Sequence, residues 1–486
     1  MNIFIKYKRL FVYLLITFIA FISRYYLFEG RNSWHDEWHS IYVADPTISN
    51  ELTLKRFYGD KGDTFLTEYY PPLYLFILKY FFMLFGYVED YGRWLSLIFG
   101  TLTVPLSMYL FEILSNNKRY YITGLLISFN LFLIWQSLEI RAHSIFVTLA
   151  IFNIILFYKI LEKKSMLYHV IYFKISVLLL SLWPITGAVF FGKTIYLIKE
   201  YLIKKKLEIN IFIIFTLILV AYIFLNFDYL KFNLNRNEHY TTLYKSFFIN
   251  YHFRTFFGSI TLGGIFLVIF TFLLIKNLNE VIFLNSKQNV IIYIIISSYF
   301  LTLSYTILRA SIMSPKYIMF VLPLIILWMG LKINSINISA NSKKIEILLI
   351  FISFVLFVIS KNDSPIKRPP TKEIVKIIVK ENINYIVTKE NDVFNNYLRT
   401  NKNILKNNII ILNSNDMIPK NVSNFWFLCQ NYPSYAVGDI GSWKDRPRVN
   451  KKCKDFNPSD KMFYEVFPFI NDTQDYLIRK FKRKNN

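Results

Sequence analysis

Apolar runs long enough to cross a bilayer recur over the first three quarters of this 486-residue chain, and that feature excludes most architectures. A hydrocarbon core about 30 Å thick needs roughly 20 residues of helix. Inside lipid every backbone N–H and C=O must be satisfied within the protein, so runs of this kind are helical. Candidate spans are 10–28, 93–114, 120–138, 143–160, 168–183, 185–198, 210–228, 258–275, 289–308, 315–332 and 345–360. Hydrophobic residues make up 54% of the chain and charged residues 18%. That is too apolar for the several soluble domains the length alone would allow.

In a soluble protein the formal net charge of +24 would point to nucleic acid. Here the cations sit in short loops between apolar runs: Lys118 and Arg119; Lys163 and Lys164; Lys199, Lys204, Lys205 and Lys206; Lys276 and Lys287; Lys343 and Lys344. Cations so placed orient a membrane protein and attract anionic lipid, so the expected partner is membrane lipid and no nucleic acid. With every cluster in the cytoplasm, successive clusters must be separated by an even number of crossings, and the spans above satisfy this. Lys6, Lys8 and Arg9 precede the first span, and no small-residue cleavage site follows it, which reads as an uncleaved anchor. The apolar run at 70–88 would invert the count if it crossed; it is expected to be a juxtamembrane or re-entrant helix on the outer side, with a full crossing as the alternative. Trp183-Pro184 divides 168–198 into two short spans, because proline lacks a donor and pushes the preceding residue out of helical geometry.

The expectation is an all-α polytopic membrane protein with about 11 transmembrane helices. The membrane domain is 1–360, with juxtamembrane helices in a first outer loop at 29–92. After the linker "KNDSPIKRPP", residues 361–486 are expected to form a small extracytoplasmic α/β domain, from a helical "KEIVKIIVKENI" and strand-like "NYIVT", "NIIIL" and "FWFLC". Cys429 and Cys453 both lie there; a disulfide and two thiols are both open readings. Two cysteines supply no four-ligand metal set.

Four polar segments fall on the outer side: the loop 29–69, the turn "SLEIRAHS" (Ser137–Ser144), the loop 229–257 and the turn "LRASIMSPKY" (Leu308–Tyr317). The first contains "SWHDEWHS", Ser33–Ser40. Its "HDEWH" differs from the zinc-protease signature, which needs Glu directly after the first His; here Asp36 holds that place, and a third ligand is missing. A better reading makes Asp36 a general base that accepts a hydroxyl proton, with Glu37 beside it raising its basicity or orienting it. Acids favoured in the first turn of a helix are the structural alternative. Glu139 and Arg141 lie between strongly apolar runs, where charge is costly; they either pair with each other or serve a site. Arg309, Lys316 and Tyr317 flank another outer turn, where cations suit a lipid phosphate or simply reach for the interface.

The order of these features carries a resemblance. An Asp-Glu pair follows the first span, then "YYPPLYLFILKYFFMLFGYVEDYGRWLSLIFGTLTVPLSMYLFEIL", then "SLEIRAHS", then "SPKYIMFVLPLIIL". Over roughly 10–335 the chain resembles glycosyltransferase family 39 and its bacterial relatives, the protein O-mannosyltransferases and the aminoarabinose transferases that modify lipid A, which share the GT-C fold. The resemblance implies catalytic roles for Asp36, Glu37 and Glu139, with Asp36 the base. It implies that His39, Arg141, Arg309, Lys316 and Tyr317 meet the donor phosphate. Pro71 and Pro72 match the family's Pro-Pro-Leu motif; Tyr70 replaces its preceding His or Lys, and Glu68 is the nearby substitute. The implied donor is a polyprenyl-phosphate sugar, the acceptor a hydroxyl on protein, lipid or glycan, and the outcome inversion. The setting is the bacterial inner membrane, with the site facing the periplasm. No cofactor is certain, and for a divalent metal His35 is the candidate ligand. A transporter or flippase of lipid-linked glycans is the alternative; it would be expected to place its polar residues near mid-membrane.

Overall fold

The computed structural model describes residues 2–28, 31–33, 35–58, 70–115, 119–163, 165–205, 208–234, 252–284, 286–309, 312, 314–335, 341–359, 380, 385–388, 410–413, 418–419, 421–430, 463–470 and 476–484. The chain divides into two units. One comprises residues 1–29, 57–77 and 93–363; the other comprises 30–56, 78–92 and 364–486.

The chain opens with α1 (Asn2–Tyr26), α2 (His35–Val43), α3 (Asn50–Tyr58), α4 (Leu73–Phe85) and α5 (Glu89–Leu114). It continues through α6 (Tyr120–Ser128), α7 (Leu131–Gln136), α8 (His143–Glu162), α9 (Met166–Leu182) and α10 (Gly187–Lys204). Then come α11 (Ile209–Leu225), α12 (Phe227–Leu234), α13 (Phe253–Phe257), α14 (Ile260–Lys276) and α15 (Leu278–Phe283). The last helices are α16 (Asn289–Leu308), α17 (Val321–Ser335) and α18 (Asn341–Ile359). This is an integral membrane protein. Among the described residues four helices are individually long and apolar enough to cross a bilayer: Tyr7–Tyr26 of α1, then α5, α8 and α16.

Two expected single spans are interrupted, each at an asparagine. Residues 120–138 form α6 and α7, because the Asn130 side chain accepts from Leu133 N at 3.0 Å and starts a new helix. α11 and α12 bend by 74° at Asn226, whose amide donates to Ser181 Oγ at 2.9 Å. The break at Trp183 occurs where the sequence places it: Trp183 is extended and Pro184 opens a short 3-10 turn, 184–186. α4 is only 13 residues, about 20 Å of helix and short of a full crossing.

α8 is the central helix of its unit. Its apolar window is 83% buried, against 22% for that of α1. A buried polar tie joins α8, α9 and α10. Lys193 donates to the Asn153 side chain and, at 3.2 Å, to its carbonyl; Asn153 Nδ2 donates to Ser176 Oγ at 2.8 Å. Lys193 Nζ also lies 5.1 Å from the Phe157 ring centroid and 5.0 Å from that of Tyr172, so aromatic faces partly replace lost hydration. α10 meets α16 at Gly192, where an added Cβ would sit 2.6 Å from the Ile294 backbone. Gly192→Val is therefore expected to cost about 1–3 kcal/mol by overpacking. The measurement is the melting temperature in detergent. Gly264→Val is the control, since nothing lies within 4 Å of its Cβ position.

The tail carries a five-stranded sheet: β1 (Tyr385–Thr388), β2 (Ile410–Asn413), β3 (Asn424–Gln430), β4 (Phe463–Ile470) and β5 (Tyr476–Arg483), in the order β2-β1-β3-β5-β4. β2, β1 and β3 run parallel, while β5 is antiparallel to β3 and β4. Val387, Val422, Phe425, Phe427 and Phe481 form its core on one face. The edge strand β4 contains Pro468 and an irregularity between Glu465 and Phe467. The three strands expected from sequence match β1, β2 and β3. Apart from Lys380, the helix expected at 372–383 lies outside the described residues, as does Cys453.

Candidate active site

The turn 137–142 carries two of the expected residues, and its placement follows from α5. Arg93, Ser96 and Gly100 recur at helical spacing on one face of that helix. Arg93 is fully buried and donates Nη1 to Leu138 O at 2.6 Å. Ser96 Oγ donates to Arg141 O at 3.4 Å. A Cβ on Gly100 would fall 2.2 Å from Ser137 Cβ and 3.3 Å from Arg24 Nε, so only glycine admits this approach. The turn is thus held by backbone and hydroxyl contacts along one helix.

On this rail Glu139 and Arg141 are both buried. Glu139 Oε2 lies 3.6 Å from His143 Nδ1. The Arg141 guanidinium sits 5.2 Å from the Tyr70 ring centroid, so Tyr70, just ahead of Pro71 and Pro72, meets the cation through its face. Tyr70 packs against Trp183 at 5.2 Å between centroids, and Trp183 against His143 at 5.6 Å and Tyr317 at 5.6 Å. Trp183 Nε1 donates to Tyr317 O at 2.8 Å. Lys316 Nζ lies 5.6 Å from the Tyr317 ring centroid. The Trp183 indole thus contacts Tyr70, His143 and Tyr317, which in turn meet Arg141, Glu139 and Lys316 respectively.

Trp183 and Tyr317 also line an apolar cavity of about 350 Å³. α11 and α12 contribute Tyr222, Tyr229 and Leu230 to its wall, and α16 contributes Leu301, Thr302 and Tyr305. Arg309 reaches the same cavity, yet its Nη2 donates to Asn233 O at 2.7 Å and Leu234 O at 2.8 Å. A cation at the carbonyl end of α12 offsets that helix's dipole, so Arg309 fastens the cavity wall.

Asp36, Glu37 and His39 lie on α2, in the other unit. Both acids fall in the first helical turn, where the dipole favours negative charge. Glu37 is wholly buried and His39 is 4% exposed, whereas Asp36 is half-buried. Within this unit Ser33 Oγ donates to Glu89 Oε1 at 2.6 Å and Tyr87 OH to Ile41 O at 3.1 Å, which fixes both ends of α2. Glu68 and the His35 side chain lie outside the described residues. Among the described residues no group of three or more His, Cys, Asp or Glu side chains is arranged to hold a metal ion.

Sequence reasoning did not single out Arg93 or Arg24, and it marked Trp183 only as part of a helix break. An arginine inside an apolar window is itself a signal for the first two.

The architecture defined by these elements is the GT-C fold. Two solved structures show it in detail. The structure of ArnT from Cupriavidus metallidurans in the apo state matches with a TM-score of 0.56 at 11% identity, and the structure of ArnT from the same organism bound to undecaprenyl phosphate matches with 0.55 at 10%. Each match covers 96% of this chain and 97% of the other. No protein-family model matches the chain, and no curated protein matches it in sequence.

Proposed function

We propose that this protein is a membrane glycosyltransferase that moves a sugar from a polyprenyl-phosphate carrier to an acceptor hydroxyl. The observation that carries the reading is the pairing of an apolar cavity with a cationic, aromatic cluster across one shared wall, Trp183 and Tyr317. A prenyl phosphate has the matching halves: a chain that prefers lipid and a head that needs cations. The cavity's volume of about 350 Å³ suits part of such a chain and falls in the range of sites for small organic ligands, about 300–1,000 Å³. Support also comes from the fold, shared with an ArnT structure holding undecaprenyl phosphate.

In this mechanism Asp36 accepts the proton of the acceptor hydroxyl as its oxygen attacks the anomeric carbon. The bond from that carbon to the phosphate oxygen breaks on the opposite face, so the centre inverts. The electron pair leaves with the lipid phosphate, whose growing charge Arg141 and Lys316 stabilise. Glu139 holds His143 and balances the charge of Arg141; Glu37 and His39 support α2. The setting we propose is a bacterial inner membrane crossed about 11 times, with the site and the tail domain on the periplasmic side. The test is mass spectrometry of envelope glycans from cells with and without the gene. Loss of one sugar from a protein, lipid or polysaccharide is the expected result and names the acceptor; an unchanged glycan profile overturns the reading.

A further inference from the structure

We infer that Trp183 is a positioning residue that separates the carrier's chain from its head and holds the phosphate-binding turn in register. The inference rests on the carrier reading above. One side of the indole lines the apolar cavity. Elsewhere its ring packs on Tyr70, His143 and Phe146, at 5.2, 5.6 and 4.8 Å between centroids, among the residues that carry Glu139 and Arg141. The side chain is 3% exposed and its rotamer is fixed on several sides, so it is a wall rather than a gate.

Its polar atom is directed as well. Trp183 Nε1 donates to the carbonyl of Tyr317, the residue that follows Lys316. A buried indole N–H needs an acceptor, and here that acceptor belongs to the turn bearing a phosphate-binding cation. The bond is neutral and joins a side chain to the backbone. Its effect passes through the position of Lys316, whose ammonium lies over the Tyr317 ring. The backbone supplies the rest. Pro184 forces Trp183 into an extended conformation at the end of α9, which turns the indole out of the helical path. The Trp-Pro pair thus both breaks the span and aims the partition.

The test uses the full chain in detergent with two probes, undecaprenyl phosphate and undecaprenol, which share a chain and differ in the head. Affinities are measured for the wild type and for Trp183→Phe, which keeps an aromatic wall and removes the donor. Undecaprenol affinity is expected to stay unchanged, while undecaprenyl phosphate affinity falls about fivefold, the size of one neutral hydrogen bond. Equal losses for both probes mean a packing residue only and overturn the inference, as does no loss for either. If Trp183→Phe does not fold, Trp183→Tyr, which also lacks a donor at the indole position, is read in the same way. A wild-type protein that fails to prefer undecaprenyl phosphate overturns the carrier reading itself, before any substitution is made.

Discussion

Asp36→Asn is expected to abolish glycosyl transfer while leaving the protein folded. The substitution keeps the size and polarity of the side chain and removes only its capacity to take a proton. Losing a general base lowers rate by about 10²–10⁴-fold. Glu37 cannot take over, because it is wholly buried, whereas Asp36 keeps solvent access. Both acids favour the first turn of α2, so the neutral variant is expected to lose at most about 1 kcal/mol of helix-dipole stabilisation. The two roles are therefore separable. Glycan analysis of cells carrying the variant, at membrane levels matched to wild type, reads the first, and a melting curve in detergent reads the second. Wild-type product with Asp36→Asn would remove the proposed base. A collapse in melting temperature would mark Asp36 as structural.

Arg141→Ala is the second large effect. Arg141 is buried and its planar group lies over Tyr70. We expect transfer to fall by about 10²–10³-fold, the cost of removing one group aimed at developing charge. Arg141→Lys is expected to recover little of this, since a lysine ammonium is a point donor that neither stacks flat nor binds two phosphate oxygens at once. Product yield at saturating and limiting carrier separates the roles: loss that persists at saturation places Arg141 at the transition state, and loss cured by excess carrier places it in binding only.

Much of the fold was legible because lipid imposes a simple rule. α1, α5, α8 and α16 are apolar runs of membrane length and stand where hydropathy places them. The break at Trp183-Pro184 was legible because proline has a fixed consequence. The breaks at Asn130 and Asn226 were not: asparagine ends a helix only where its amide finds a partner, here Leu133 N and Ser181 Oγ. β4 and β5 were missed for another reason. "YLIRKFKR" lacks the apolar alternation of a strand, and its pairing with β3 and β4 makes it one. In the candidate site, Glu139 and Arg141 stood out because charge in an apolar setting is conspicuous. The side chains that hold their turn act through backbone carbonyls, as Arg93 does at Leu138 O. Such a contact depends on a neighbour far along the chain and leaves no local pattern. Trp183 belongs with these, since its role lies in what it touches on each side.

The margins of the tail sheet have a further consequence. Among the described strands β2 and β4 are the outermost, and β2 is only four residues long. β4 carries a proline and an offset in its ladder. An unpaired strand margin is a template on which another chain can add, and brevity, proline and offsets all frustrate that templating. Copies of this protein confined to two dimensions would meet one another often. A four-residue margin on one side and a proline with an offset on the other disfavour strand addition between the tails of neighbouring copies.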